Sequence, residues 1–296
     1  MYSLVFFLLG KKGHEVLKAT IASGNKDLIQ LVVIGADNNV QKDFFSETEG
    51  LCKEYGIDFC LRDDELKISN AAPKSIAIAA GWRWLIGYEF IQIIVFHDSL
   101  LPKYRGFNPL VTALLNKEPE IGVTAIVANK KFDCGDIIDS KSIKIDYPIT
   151  IENAINKVCV LYFDLQRSVL EKLISTGFLV GVPQDENLAS YSIWRDEEDY
   201  RIDWKRSAET IAHFVKCVSF PYKGASAVFD GKLFRIIEAE AEPDVLIENR
   251  DVGKVIFVIE DKPVVICGDG LLRILVAVDD EGESILPFKN FRVRLK

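Results

Sequence analysis

Short, nearly unbroken apolar runs alternate with amphipathic stretches through the first half of the chain. Tyr2–Leu9, Leu28–Ile34, Ile57–Cys60, Ser75–Ala80 and Gln92–Phe96 are such runs, each bounded by turn residues. Between them, Gly13–Ser23 and Asp43–Tyr55 are helix candidates, the latter with Phe44, Phe45, Leu51 and Cys52 on one face. Strands without polar alternation are buried on both faces, as in a parallel sheet covered by helices. The strand–helix alternation therefore predicts an open, doubly wound α/β sheet, with ligands at the carboxyl ends of its strands. Asn108–Leu115 continues as a helix, and Gly122–Ala128 and Ile137–Ile145 as two more strands. A long helix starts at Thr150, a capping residue, and carries the stripe Ile151, Ala154, Ile155, Val158, Tyr162 and Leu165. Gly177 is its expected C-terminal cap.

The pattern changes at the polar, turn-rich segment Pro183–Asn187. We set a domain boundary there, giving domains 1–185 and 186–296. Beyond a helix at Ser207–Cys217 the chain reads as short strands: Ala225–Phe229, Leu233–Ile237, Lys254–Ile259, Val264–Cys267 and Leu271–Val278, with the alternating tail Phe288–Lys296 as another candidate. Glycines 231, 253, 268 and 270 mark turns. This spacing predicts a small β-rich domain, a partly open barrel.

Composition narrows the function classes. The 296 residues are 49% hydrophobic, too apolar for disorder, and the formal net charge of −8 repels phosphate backbones, so nucleic acid is not the expected partner. No apolar run spans a bilayer, and Tyr2–Leu9 lacks a basic leader, so it reads as a buried strand and no membrane partner is expected. Six scattered cysteines without a C-x-x-C pair, and three histidines, argue against a metal site or a disulfide framework and for a reducing, cytoplasmic setting.

Candidate chemistry sits in two stretches. His97 directly follows the apolar strand in Val95-Phe96-His97-Asp98-Ser99-Leu100-Leu101-Pro102-Lys103-Tyr104-Arg105-Gly106. An imidazole at a strand's carboxyl end serves as general base or acid near neutral pH, or simply ends the strand with a hydrogen bond. Asp133-Cys134-Gly135-Asp136 places carboxylates in a sharp turn between two strands, a pattern equally common in ordinary turns.

Together the two stretches resemble the N10-formyltetrahydrofolate-dependent formyltransferases. That family's signature is His-x-Ser-Leu-Leu-Pro-x-x-Arg-Gly, then Gly-Val-Thr, then Asp-x-Gly. Here these read His97 to Gly106, Gly122-Val123-Thr124 and Asp133-Cys134-Gly135. The resemblance implies a Rossmann-like catalytic domain, N10-formyltetrahydrofolate as co-substrate and no metal. It implies His97 as the catalytic imidazole and Asp133 as its carboxylate partner. It places Gly81, Arg83, Leu85, Asp133 and Gly135 at the folate. The slot two residues before the histidine, usually Asn, is Val95. Valine offers no hydrogen bond to a developing oxyanion, which leaves open a slow enzyme, a substitute donor such as Asn108 or Asn129, or a catalytically impaired binding homologue.

The tract from Ser190 to Trp204 contains Trp194-Arg195-Asp196-Glu197-Glu198-Asp199-Tyr200, which resembles the branch acting on dTDP-linked amino-deoxy sugars. That resemblance implies a dTDP-amino sugar substrate for surface polysaccharide (O-antigen) synthesis. It makes Ser99, Lys103, Arg105, Trp194, Arg195 and Tyr222 the substrate-binding set, with Tyr222 able to stack on thymine. It also implies a homodimer. UDP-4-amino-arabinose and methionyl-tRNA are the competing substrates. Against tRNA, residues 207–296 hold 15 acidic and 12 basic side chains.

Overall fold

The computed structural model describes residues 3–37, 40–290 and 292–296. Tyr2 and Phe291, included in the sequence-based strands, lie outside the described residues. Two compact units form: Met1–Asn38, Lys42–Ile145 and Ala154–Trp194 make the first; Asn39–Gln41, Asp146–Asn153 and Arg195–Lys296 make the second. The main division thus follows Trp194, nine residues beyond the boundary expected from sequence.

The first unit alternates β1 (Ser3–Leu8), α1 (Gly10–Ala22), β2 (Ile29–Ile34), α2 (Phe45–Tyr55), β3 (Phe59–Leu61), α3 (Glu65–Ala71), β4 (Ser75–Ala80) and β5 (Gln92–His97). After β6 (Arg105–Gly106) and α4 (Pro109–Leu115) come β7 (Glu120–Val127), β8 (Ile137–Lys144), α5 (Ile151–Thr176) and β9 (Tyr191–Ser192). Seven strands form one sheet in the order β3-β2-β1-β4-β5-β7-β8. The first five are parallel, β7 is antiparallel to β5, and β8 to β7. Apolar runs such as Leu4–Leu8 and Ile76–Ala80 are buried on both faces, as their lack of alternation requires. The α5 stripe read from the sequence is buried throughout. The Thr150 hydroxyl accepts from the Asn153 amide at 3.2 Å, and Gly177 closes the helix at φ +77°.

In the second unit α6 (Ala208–Val218) packs on an antiparallel sheet of β10 (Ala225–Phe229), β11 (Lys232–Glu242), β12 (Val255–Ile259), β13 (Lys262–Ile266) and β14 (Leu271–Val278). Its order, β10-β11-β14-β13-β12, is that of an open sheet rather than a closed barrel. Strand β11 runs five residues past the expected Ile237. Its charged end is held by Arg273 of β14, whose Nε donates to Glu240 at 2.9 Å and lies 2.8 Å from Glu242. In the tail, Arg294 makes one bridge to Lys254 where a strand was expected.

Arg235 of β11 is buried and forks onto Glu197 at 2.6 and 2.7 Å. Those hydrogen bonds hold the Glu197 carboxyl below its ordinary value of 4.5. A depressed carboxylate contributes stability above the unfolded value, lost as pH falls through the folded one. Glu197→Gln is therefore expected to destabilise the second unit by about 1–3 kcal/mol at neutral pH, since Glu197 is itself partly exposed. The difference from wild type should vanish in melting curves taken at progressively lower pH; a constant difference would contradict this assignment.

Candidate active site

The site grows from the carboxyl end of β5. Backbone hydrogen bonds from β5 to β4 and β7 fix Val95, Phe96 and His97, and the chain turns at once. Thr124 of β7 pins that turn: its hydroxyl donates to the Ser99 carbonyl at 2.7 Å and accepts from the Leu101 amide at 3.1 Å. Gly122 lets it close, because a Cβ there would lie 2.4 Å from Leu100 and 2.6 Å from the Lys141 carbonyl. The Gly-Val-Thr triplet and the Leu-Leu turn are thus one packing unit. The Ser99 hydroxyl donates to the Lys103 carbonyl at 2.6 Å, so this buried side chain serves the loop itself.

His97 is buried, with Nε2 2.8 Å from the Tyr104 carbonyl. A carbonyl only accepts, so Nε2 carries a proton, and in the neutral ring Nδ1 is the basic atom. Nδ1 lies 3.5 Å from Asp133 Oδ1, an electrostatic contact longer than a hydrogen bond. The other carboxylate oxygen, Oδ2, accepts from the Gly106 amide at 2.8 Å. Asp133 adopts φ +54°, unusual for a side-chain-bearing residue. Gly135 follows with its Cα against the β7 end; a Cβ would stand 1.8 Å from the Val127 carbonyl. The two sequence stretches, 27 residues apart at their nearest hydrogen bond, therefore meet.

Other sequence candidates fall in different places. Val95 lies half-buried on the same face of β5 as His97, against the cluster of Phe7, Val33, Ala77 and Ala79. Lys103 is exposed and 3.5 Å from Glu118. Arg105, expected at substrate, is fully buried and occupied by Glu186 and Gln184. Its guanidinium is pushed above its ordinary value by the Glu186 hydrogen bonds, so the pair is firmly ionic. Trp194 is exposed. Arg195 and Tyr222 belong to the second unit; the Arg195 Nε is buried with no hydrogen-bond partner among the described residues, and the Tyr222 carbonyl accepts from Gln41. Gln184 was not singled out in the sequence.

The expected folate positions follow β4, where strand order reverses around β1. Gly81 sits at φ +65°, with a Cβ position only 2.4 Å from the Leu9 carbonyl, so this backbone approaches the β1 loop as only glycine allows. Arg83 forks onto Asp37 at 2.8 and 3.1 Å. Leu85 is 81% exposed. Trp82 stacks edge-on against Phe7 at 5.3 Å, with its indole N–H buried and unpaired among the described residues. An exposed apolar side chain beside glycine-permitted backbone leaves room for a flat ring at this strand end. Burial pushes Cys52, Cys159 and Cys267 up to about 12 and Cys60 to about 11, so these four thiols are poor nucleophiles.

A histidine and an aspartate meet at the carboxyl edge of a mixed Rossmann-like sheet, and an antiparallel unit follows in sequence, which makes this a two-unit α/β protein with a candidate acid–base pair at its strand ends. The formyl transferase family profile matches residues 18–161, and the formyl transferase C-terminal domain profile matches residues 195–294. The chain belongs to the formyltransferase family, whose one-carbon donor is N10-formyltetrahydrofolate. It is 33% identical over 195 residues to a methionyl-tRNA formyltransferase of Streptococcus equi, covering 66% of this chain and 60% of that protein's length. In fold it is similar to an N-formyltransferase of Helicobacter canadensis solved with folinic acid and dTDP-3-aminofucose (TM-score 0.68, 17% identity, 93% of this chain and 99% of that one). A sugar 3N-formyl transferase solved with dTDP and 5-N-formyl-THF is also similar (TM-score 0.64, 19% identity, 92% and 97%).

Proposed function

We propose that this chain transfers a formyl group from N10-formyltetrahydrofolate to the amino group of a dTDP-linked amino-deoxy sugar. The observation that carries the chemistry is His97 Nδ1 facing Asp133 at 3.5 Å, with the Nε2 proton committed to Tyr104. Bound, the folate supplies the formyl carbon. The attacking amine must lose a proton as it bonds to that carbon, and His97 Nδ1 is the basic atom left to take it; the bond from the formyl carbon to folate N10 would then break, with the same proton returned to N10 as tetrahydrofolate leaves. Asp133 faces the imidazolium this creates and stabilises it electrostatically. The Tyr104 carbonyl keeps the ring in one tautomer throughout. Gly81, Arg83, Leu85 and Gly135 would hold the folate; in the first unit, Lys103 and Trp194 are the proposed sugar-nucleotide contacts.

Support for the sugar nucleotide comes from the tract Trp194–Tyr200 and the mildly acidic residues 207–296. A second reading, methionyl-tRNA, is favoured by the 33% identity to that relative. Polysaccharide synthesis, a homodimer and a cytoplasmic setting complete the proposal; among the described residues no helix is long and apolar enough to cross a membrane.

One experiment separates the readings. The purified chain with formyl donor is given a dTDP-4-amino-dideoxyhexose or methionyl-tRNA, and products are weighed by mass spectrometry. Formylated sugar is expected, with dTDP raising Tm more than UDP. Formylation of the tRNA alone, with steeply salt-dependent binding, would replace the proposal with the second reading.

A further inference from the structure

Gln184 lies in the first unit, in the extended segment ahead of β9, and touches neither His97 nor the Asp133 carboxylate. Its Oε1 accepts from Arg105 Nε at 3.0 Å and Nη2 at 2.9 Å. Its Nε2 donates to the backbone carbonyls of Asp133 and Gly135, both at 2.8 Å. Guanidinium only donates and carbonyls only accept, so the amide has one possible orientation and all four of its hydrogen-bonding positions are used. Arg105 is anchored in turn: Nη1 and Nη2 donate to the two Glu186 oxygens at 2.9 Å, and its backbone amide donates to the Ser190 carbonyl at 2.8 Å.

The next residue, Gly106, donates its amide to Asp133 Oδ2. Asp133 is therefore gripped twice by one short segment, at its side chain through Gly106 and at its carbonyl through Arg105 and Gln184. This matters because Asp133 holds φ +54°, a conformation that residues with a Cβ seldom adopt unless surroundings impose it. We infer that Gln184 is a positioning residue, which locks the Asp133–Gly135 turn to Arg105 and so keeps the Asp133 carboxylate facing His97. The inference rests on the formyl-transfer reading for its effect on rate but not for the lock itself.

Two variants test it. Gln184→Leu removes the amide. Gln184→Glu keeps an acceptor for Arg105 but cannot donate to the two carbonyls. Both are expected to lower kcat by about 10- to 100-fold, with KM for donor and amino sugar within about twofold, since a displaced carboxylate impairs the reacting geometry rather than binding. In an Asp133→Asn background, Gln184→Leu should change kcat by less than about twofold, because its route of action is already gone. A general loosening of the fold would instead raise KM and add to the Asp133→Asn loss. Amide hydrogen exchange supplies a readout without turnover: residues 133–136 should exchange about 10-fold faster in both variants, with β4 and β5 unchanged. Unaltered exchange, unaltered kcat, or full additivity with Asp133→Asn each overturns the inference. A wild-type chain that formylates no amino sugar would refute the functional reading, while the exchange data would still decide the lock.

Discussion

His97→Asn is expected to lower kcat for formyl transfer by about 10³-fold while leaving the melting temperature near that of wild type. The size follows from the role: a positioned general base contributes about 10²–10⁴-fold. The modest effect on stability follows from the geometry. Asparagine reaches only the Nδ1 position and gives up the bond from Nε2 to the Tyr104 carbonyl, a loss of about 1 kcal/mol, but the Thr124 and Gly122 contacts that fold the turn do not involve the imidazole. Asp133→Asn should cost less, about 10²-fold, because the amide oxygen can still accept from Gly106 while the charge facing the imidazolium is lost. Single-turnover rates with saturating donor and amino sugar measure both. A His97→Asn chain that retained a rate within threefold of wild type would remove His97 from the mechanism and the proposed function with it.

Much of this was legible in the sequence because its cause is local. An unbroken apolar run ending in His97 places that residue at a strand's carboxyl edge wherever the strand sits in the sheet. The α5 stripe and the Thr150 cap are likewise written in consecutive residues. What escaped depends on distant partners. Strands β6 and β9 are two residues each and pair across more than eighty residues, so neither carries a period of its own. Helix α3 spans only seven residues, with Asp64 accepting from the Lys67 amide as its one clear start signal. Arg105 in a loop beside glycine reads the same whether it faces a phosphate or a buried glutamate; only the fold brings Glu186 to it. Gln184 was hidden for the same reason, inside a polar segment whose composition suggested a linker.

Val95→Asn is expected to raise kcat, by up to about 100-fold, and to lower stability. Charge develops on the formyl oxygen as the amine attacks, and one well-placed donor is worth about 10²–10³-fold in such a site. Side chains at positions 95 and 97 leave the same face of β5, so an amide at 95 shares the side from which His97 acts. The opposing effect comes from the surroundings. Val95 pairs in register with Ala79 and packs on the apolar cluster that Ala79 and Phe7 belong to, and an amide set among these groups costs about 1–3 kcal/mol unless it finds a partner. Rate per folded molecule and melting temperature should therefore move in opposite directions, a combination that simple damage to the site does not produce. If kcat stays level in a folded variant, a donor is already in place. Asn108 is then the residue to remove, since it sits half-buried at φ +50°, two residues beyond Gly106, with no side-chain capping bond to its helix. Asn108→Ala would in that case lower kcat by about 10²-fold, whereas it should be nearly silent if the Val95 slot is the missing donor.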